Sequence, residues 1–89
     1  MQELVNKPFQ LSDHAKKVIE ERNINLKWIE YVLSNPLKRI PDSDDPELEH
    51  AIQKIKEYDN RVLRVIYNKK VSPKRIVTAY FDRTFRGKI

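Results

Sequence analysis

Two apolar runs near the end of the chain decide the fold: Val62-Leu-Arg-Val-Ile-Tyr67 and Ile76-Val-Thr-Ala-Tyr-Phe81. Both are rich in β-branched and aromatic residues, which fit the half-buried surface of a sheet. A polar loop that contains Pro73 joins them. The pattern predicts two strands.

Side chains alternate between the two faces of a strand, so the second run divides into two sets. One set is Val77, Ala79 and Phe81, and the other is Ile76, Thr78, Tyr80 and Asp82. Because the first set is the more apolar, we expect it to lie against a helical layer. Thr78 and Tyr80 are then expected to face outward.

The first half of the chain predicts the two helices of that layer. Ser12 can cap a helix from Asp13 to Arg22 whose apolar residues recur at near-helical spacing, and Asn23 can end it. Asn25 can cap a second helix that Pro36 stops, because the residue before a proline resists helical geometry. The short connection between the two helices predicts an antiparallel helical hairpin. Its apolar side must be covered by a sheet.

The segment between the helices and the strands carries conflicting signals. Residues 41–49 hold five acids and two prolines, which predicts an exposed loop; a calcium loop is disfavoured because the turn glycine and the final glutamate are missing. Leu48, Ala51, Ile52 and Ile55 repeat with a helical period. However, Asp59-Asn60 can form a two-residue hairpin turn, which would make residues 50–58 a strand.

Length and composition bound the class of protein. Eighty-nine residues with 39% apolar content suit a single domain over residues 1–89. Zero cysteines exclude disulfides and thiolate metal sites, two distant histidines argue against zinc, and one glycine argues against phosphate-cradling loops. We expect no cofactor. No apolar run is long enough to span a membrane and no secretion signal opens the chain, so a cytoplasmic protein is expected.

Charge is segregated along the chain. Residues 54–89 carry eleven Lys or Arg against three acids, a net charge of +8, whereas residues 1–53 carry a net charge of −3. A basic sheet attracts phosphate backbones, so nucleic acid is the first partner to consider. Ordinary solvation of the surface by lysine and arginine is the competing interpretation.

Five short motifs resemble a known family. They are Phe9-Gln-Leu-Ser-Asp-His-Ala, Glu21-Arg22-Asn-Ile24, Val32-Leu33-Ser-Asn35-Pro36, Leu63-Arg-Val-Ile66 and Ile76-Val-Thr-Ala-Tyr80. Together they resemble a family of small bacterial proteins similar to the BrnT toxins, within the RelE and ParE-like toxin superfamily. The resemblance spans about Phe9 to Arg83. It implies an α+β fold in which a helical hairpin packs on one face of a small, mainly antiparallel sheet, and it favours a strand over residues 50–57.

The same resemblance implies the toxin of a bacterial toxin and antitoxin pair, an endoribonuclease that acts on messenger RNA. RNA supplies its own nucleophile, the 2′-hydroxyl, so cleavage without a metal needs a proton acceptor, a proton donor and cations around the phosphate. Basic side chains and a tyrosine can fill these roles. The candidate catalytic residues are Lys54, Arg64, Tyr80 and His50, and the candidate RNA-binding residues are Lys56, Arg61, Thr78, Arg83 and Arg86.

Several candidates also have a structural interpretation, and Lys54 and Lys56 can be ordinary solvated lysines. Arg64 lies inside an apolar strand and can be a snorkelling edge residue, Tyr80 can sit at the core edge, and Arg83 can pair with Asp82. We expect His14 to be a buried structural histidine and Arg22 to tie the helices to the sheet or to the acidic loop. The alternative function is a binding module without chemistry, either a ParE-like gyrase inhibitor or a regulator that grips nucleic acid or protein. The expected partners are RNA and a protein antitoxin.

Overall fold

The structure, a computed structural model, describes residues 9–85. Two helices and five strands make up most of this part of the chain. The strands are β1 (Phe9–Leu11), β2 (Lys38–Pro41), β3 (Leu48–Ile55), β4 (Arg61–Asn68) and β5 (Lys74–Phe81), and the helices are α1 (Asp13–Glu21) and α2 (Leu26–Ser34). Short 3₁₀ helices cover Lys56–Tyr58 and Arg83–Phe85. The fold is therefore α+β, as expected.

The five strands form one mixed sheet in the order β1-β5-β4-β3-β2. β1 runs parallel to β5, and the other three pairings are antiparallel. Both helices pack on the same face, α1 over β1 and β5 and α2 over β3 and β4. The two-layer arrangement and the mainly antiparallel sheet agree with the sequence prediction.

The ends of α1 form where the sequence signals predict them. The Ser12 hydroxyl accepts a hydrogen bond from the Ala15 amide at 3.0 Å. At the other end Asn23 adopts a positive φ of 55°, and the Ile24 amide donates to the Ile19 carbonyl at 3.0 Å. This bond closes the last turn and directs Ile24 into the core. The last helical residue is Glu21, one before the predicted Arg22.

α2 begins at its predicted cap and ends just before the predicted proline. The Asn25 side chain accepts a hydrogen bond from the Lys27 amide at 2.9 Å. Ile24 before the cap and Ile29 inside the helix are both buried in one cluster, as a hydrophobic staple requires. The helix ends at Ser34, two residues ahead of Pro36.

One apolar core lies between the helices and the sheet. Its buried members come from both helices and from β1, β3, β4 and β5: Phe9, Ala15, Ile19, Ile24, Ile29, Val32, Ala51, Ile55, Leu63, Val65, Tyr67, Ile76 and Ala79. Tyr67 donates its phenol hydrogen to Glu49. Burial, and to a lesser extent this hydrogen bond, raises the pKa of Tyr67 far above its ordinary value. Tyr67 is therefore a neutral core residue.

A β-bulge in β5 places two residues on the faces opposite to those predicted. Tyr67 of β4 pairs with Ile76, whereas Ile66 pairs with Thr78, so Val77 is an extra residue. Ile76, predicted to face outward, is fully buried in the core, and Val77, predicted to face the helices, is half-exposed. Ala79 and Phe81 beyond the bulge lie on the helical side, as predicted.

Residues 48–55 are a strand, which resolves the conflict between the helical and the extended interpretation. β3 is flanked by β2 and β4, and both of its faces are apolar: Ala51 and Ile55 join the helix-side core, while the fully buried Ile52 faces the other way. When a strand has apolar residues on both faces, their spacing along the sequence can resemble a helical period. The strand ends at Ile55, so Lys56 lies outside it.

The hairpin between β3 and β4 is longer than predicted. The 3₁₀ helix Lys56–Tyr58 precedes Asp59 and Asn60, which both adopt positive φ, so the connection has five residues instead of two. The acidic segment is also shorter than the predicted 41–49, because Pro41 belongs to β2 and β3 starts at Leu48. Neither helix in the described part of the chain is long and apolar enough to cross a membrane.

Candidate nucleic-acid interface

The sheet face opposite the helices carries most of the predicted site residues. Arg64 of β4 pairs with Tyr80 of β5, and alternation puts both side chains on the face away from the core. His50 and Lys54 of β3 share this face, since they flank Ile52, the register partner of Arg64. We call it the open face of the sheet.

A chain of hydrogen bonds crosses the open face. The Asp42 carboxylate lies 2.7 Å from His50 Nε2, and His50 Nδ1 lies 2.6 Å from Arg64 Nη1. Arg64 Nε then donates to Asp82 Oδ2 at 2.8 Å. Residues from the β2–β3 loop, β3, β4 and the end of β5 are thereby linked side by side. We call these four residues the polar chain.

The polar chain fixes the state of His50. A guanidinium only donates hydrogen bonds, so His50 Nδ1 must accept and its ring hydrogen must be on Nε2, where it is donated to Asp42. Both ring nitrogens are thus occupied. His50 could accept a substrate proton only after breaking its bond to Arg64, which argues for a structural role over the predicted catalytic one.

Two carboxylates terminate the polar chain, and both are held ionised. The hydrogen bond from His50, helped by the amides of Asp44 and Asp45, lowers the pKa of Asp42. Burial tends to raise the pKa of Asp82, but hydrogen bonds from Thr84 and Arg64 outweigh it and the net pKa is lowered. Thr84 contributes both its hydroxyl at 2.5 Å and its amide at 2.9 Å.

Arg64 is enclosed as well as hydrogen-bonded. The Phe85 ring, in the 3₁₀ helix after β5, lies 5.3 Å from the Arg64 guanidinium carbon, and Lys38 Nζ is 6.0 Å from the same ring. Asp82 binds the Arg64 Nε and His50 binds its Nη1, so two of its donor atoms are committed to neighbouring side chains. The structure gives it the role of connecting strands.

A cationic cleft lies where β4 begins and β5 ends. It has a volume of about 610 Å³ and is lined by Arg22, Arg61, Val62, Tyr80, Phe81, Asp82 and Arg83. Three arginines of the described residues therefore line one space. Among the lining residues that the structure describes, Asp82 carries the single carboxylate, and its oxygens are already bound by Arg64 and Thr84. We call this space the arginine cleft.

Antiparallel pairing explains why these residues meet. β4 starts beside the end of β5, so Arg61 and Val62 lie next to Phe81 and Asp82, and the Asp82 amide donates to the Val62 carbonyl at 2.8 Å. Arg22 arrives from the C-terminal end of α1, where its Nη1 donates to the Ala79 carbonyl at 2.7 Å. This bond confirms the prediction that Arg22 ties the helices to the sheet.

A stack of aromatic rings borders the cleft. The Tyr58 ring lies 5.1 Å from Trp28 and 5.0 Å from Phe81, measured between ring centroids. The guanidinium carbon of Arg61 lies 4.8 Å from the centroid of the same Tyr58 ring. Trp28 Nε1 donates to the Glu57 carboxylate at 3.1 Å. The Arg61 cation therefore rests against a cluster of three aromatic rings beside the cleft.

The predicted residues divide into three groups. Arg61, Tyr80 and Arg83 meet in the arginine cleft, His50 and Arg64 belong to the polar chain, and Lys54 and Thr78 are half-buried on the open face. Lys56 does not join them as predicted, because the strand has ended and its side chain is exposed on the 3₁₀ helix. Arg86 lies outside the described residues.

Sequence reasoning missed Arg22 and Tyr58 and misplaced His14. The sequence predicts only that Arg22 ties the helices to the sheet or to the acidic loop, yet its position at the helix end also brings it to the cleft. Nothing local to Tyr58 signalled a role. His14, predicted to be buried, is exposed on the solvent side of α1. In residues 9–85 no three His, Asp or Glu side chains are grouped so that they could share a metal ion.

Fold and site together define a small α+β protein with a cationic cleft at one end of its sheet. A family model described as a domain of unknown function, DUF4258, matches residues 11–81, and the chain belongs to that family. The match extends from β1 to the end of β5 and includes Arg22, Arg61 and Tyr80. No curated protein and no solved structure matches the chain.

Proposed function

We propose that the protein is an endoribonuclease that acts without a cofactor, the toxin of a bacterial toxin and antitoxin pair, and that the arginine cleft holds the RNA backbone. The observation that carries the proposal is the convergence of Arg22, Arg61 and Arg83 around one space beside the Tyr80 side chain. Guanidinium groups suit phosphate because their donors form a planar fork.

The resemblance to BrnT-like proteins of the RelE and ParE-like superfamily supports the same proposal. It implies the fold class that is observed, two helices on one face of a mainly antiparallel sheet. One fold hosts several activities, so the assignment depends on the site more than on the likeness. The net charge of +8 over residues 54–89 favours a polyanionic substrate in the cytoplasm, and messenger RNA is the proposed one.

The chemistry needs two proton transfers and stabilisation of charge. The 2′-oxygen attacks the neighbouring phosphorus, the bond from phosphorus to the 5′-oxygen breaks, and a 2′,3′-cyclic phosphate and a 5′-hydroxyl are formed. Tyr80 lines the cleft and carries a phenol hydroxyl that can transfer a proton. Lys54 on the same sheet face is proposed as the second proton-transfer group, and the guanidiniums stabilise the phosphorane.

The test is to express the chain alone in bacteria and to incubate the purified protein with single-stranded RNA in the presence of a chelator. We expect growth arrest and RNA fragments that end in cyclic phosphate. Tyr80→Phe should slow cleavage by about 10²- to 10⁴-fold while the fold is retained. The matched control is Arg75→Ala, which removes an exposed arginine at the far end of β5 and should leave cleavage unchanged. Normal growth with intact RNA contradicts the proposal.

A second candidate function is a binding module without chemistry, either a ParE-like gyrase inhibitor or a regulator. The polar chain favours it, because two of the four predicted catalytic side chains, His50 and Arg64, are committed to each other and to carboxylates. Tight binding of RNA or DNA by the wild type, together with no cleavage under any condition, would select this function.

The proposed protein partner is an antitoxin that covers the arginine cleft. Charge complementarity requires an acidic segment of that partner. If the proposal is right, the neighbouring gene encodes an acidic, DNA-binding protein whose co-expression restores growth. Its co-purification should be weakened by Arg61→Ala and not by Arg75→Ala.

A further inference from the structure

Tyr58 lies outside the arginine cleft but is fixed beside it. Its ring packs against both Trp28 and Phe81, which in turn pack against the core. Trp28 and Phe81 also contact each other edge to face, with centroids 6.0 Å apart. Although Tyr58 is 38% exposed, its ring contacts two rings that pack against the core, so its position is determined by the core.

Arg61 also contacts this ring with its guanidinium group. Its guanidinium carbon is 4.8 Å from the ring centroid, and its Nη1 donates to the Tyr58 hydroxyl at 3.5 Å. An exposed arginine at the start of a strand otherwise samples many rotamers, and that freedom is lost when it binds a phosphate. Stacking on a fixed ring already restricts the rotamers of Arg61 before the ligand arrives, so less conformational freedom is lost on binding.

The neighbouring acid Glu57 is engaged elsewhere. Glu57 lies four residues before Arg61, and its Oε2 accepts a hydrogen bond from Trp28 Nε1 at 3.1 Å. The same aromatic stack thus contacts the Arg61 cation through Tyr58 and binds the Glu57 carboxylate through Trp28.

We infer that Tyr58 is a positioning residue for Arg61: the Trp28–Tyr58–Phe81 stack preorganises the Arg61 guanidinium to receive a phosphate in the arginine cleft. This inference rests on the proposed binding of RNA there, and it deepens that proposal by adding a residue that does not line the cleft. Tyr58 acts through Arg61 and does not touch the RNA.

The experiment is a double-mutant cycle with the full chain and a short single-stranded RNA in which 2′-O-methyl groups prevent cleavage. Affinity is measured for the wild type, Tyr58→Leu, Arg61→Ala and the double variant. Tyr58→Leu should weaken binding by about two- to five-fold, the range of an exposed cation–π contact. In the Arg61→Ala background the same change should have no effect, and Tyr58→Phe, which retains the ring, should bind nearly as well as the wild type.

Other roles of Tyr58 give different results. If Tyr58 stacked directly on a base, or if its loss merely damaged the fold, Tyr58→Leu would weaken binding equally with and without Arg61, and the inference would be overturned. It would also be overturned if Tyr58→Leu had no effect while Arg61→Ala weakened binding.

A measurement without ligand separates this inference from the proposed function. The ring current of Tyr58 should shift the NMR signals of the Arg61 side chain upfield in the wild type and in Tyr58→Phe, and the shift should disappear in Tyr58→Leu. If the wild type binds no RNA, the proposed function fails, and this shift alone decides whether Tyr58 positions Arg61. An Arg61 side chain that is unshifted in the wild type overturns the inference.

Discussion

His50 shows how hydrogen-bond partners change the interpretation of a single residue. In the sequence it is the obvious titrating group, because imidazole changes charge near neutral pH. In the structure its two nitrogens connect Asp42 to Arg64, and the donor-only guanidinium determines the tautomer. Its position on the open face was predictable, but its commitment to the polar chain was not.

Loss of His50 should therefore affect the free energy of unfolding more than the rate of RNA cleavage. We expect His50→Leu to lower the free energy of unfolding by about 1–3 kcal/mol, because Asp42 and Arg64 lose a half-buried partner. His50→Gln can accept from one neighbour and donate to the other, so it should recover part of this loss and retain RNA cleavage. Urea denaturation and the cleavage assay check both. A change below about 0.5 kcal/mol for His50→Leu would show that the polar chain is not structural.

The lowered pKa of Asp82 predicts a pH dependence. A carboxyl group whose folded pKa lies below its unfolded value of 3.8 contributes stability above that value and loses it as the pH falls through the folded pKa. We expect Asp82→Asn to melt at a lower temperature than the wild type at neutral pH. Below about pH 5 the gap should narrow, because the wild type loses the contribution that the variant lacks.

The control for Asp82 is Asp44→Asn, at an exposed position in the β2–β3 loop. It should melt like the wild type across the pH range. A constant gap between the wild type and Asp82→Asn from neutral to acid pH would contradict the assignment of a lowered pKa to Asp82.

At the scale of elements, α1 protects the edge of β5 that β1 leaves uncovered. β1 pairs only with Lys74 to Ile76. Beyond it the Ser12 hydroxyl donates to the Val77 carbonyl at 3.3 Å and Arg22 donates to the Ala79 carbonyl. Exposed strand edges invite pairing with other chains, and side chains from the helix satisfy this one.

Ser12 therefore has two structural roles, capping α1 and covering the edge of β5. We expect Ser12→Ala to lower the free energy of unfolding by about 1–2 kcal/mol, since the cap bond to Ala15 is lost. Ser43→Ala, in the exposed β2–β3 loop, is the control and should have little effect. Equal midpoints of urea denaturation for the two variants would contradict the double role.

At the scale of the whole molecule, the arginine cleft joins three distant parts of the chain. Arg22 comes from the end of α1, Arg61 from the start of β4 and Arg83 from the 3₁₀ helix after β5. The segregated charge of the sequence therefore describes only part of the site, because Arg22 belongs to the acidic half. Folding brings one cation of that half to the basic half.

If each of the three arginines of the cleft contacts one phosphate, as proposed, binding should show a particular salt dependence. For single-stranded RNA the logarithm of affinity should fall with the logarithm of salt concentration with a slope of about −2, from about −0.7 per neutralised phosphate. Arg83→Ala should make the slope less negative by about 0.7, and Arg75→Ala should leave it unchanged. Fluorescence anisotropy at several salt concentrations checks this. Equal slopes for Arg83→Ala and the wild type would remove Arg83 from the interface.

The sequence by itself determined the features that depend on near neighbours. Caps at Ser12 and Asn25, the helix end at Asn23 and the strand character of residues 62–67 and 76–81 follow from spacing and side-chain type within one or two turns. Alternation also placed Arg64 and Tyr80 together on the open face. These signals are local because helix capping, turn geometry and strand alternation involve residues that lie close along the chain.

Only the tertiary structure decided the features that depend on partners far along the chain. The pairing of β3 between β2 and β4 overrode its helical period, the bulge at Val77 exchanged the faces of two residues, and β1 and β2 became strands by pairing at the sheet edges. Arg22 meets the Ala79 carbonyl 57 positions away, and Arg64 meets His50 and Asp82 from other strands. The sequence around an arginine does not indicate whether its guanidinium will face a carboxylate or an open cleft, because that depends on which strands pack beside it.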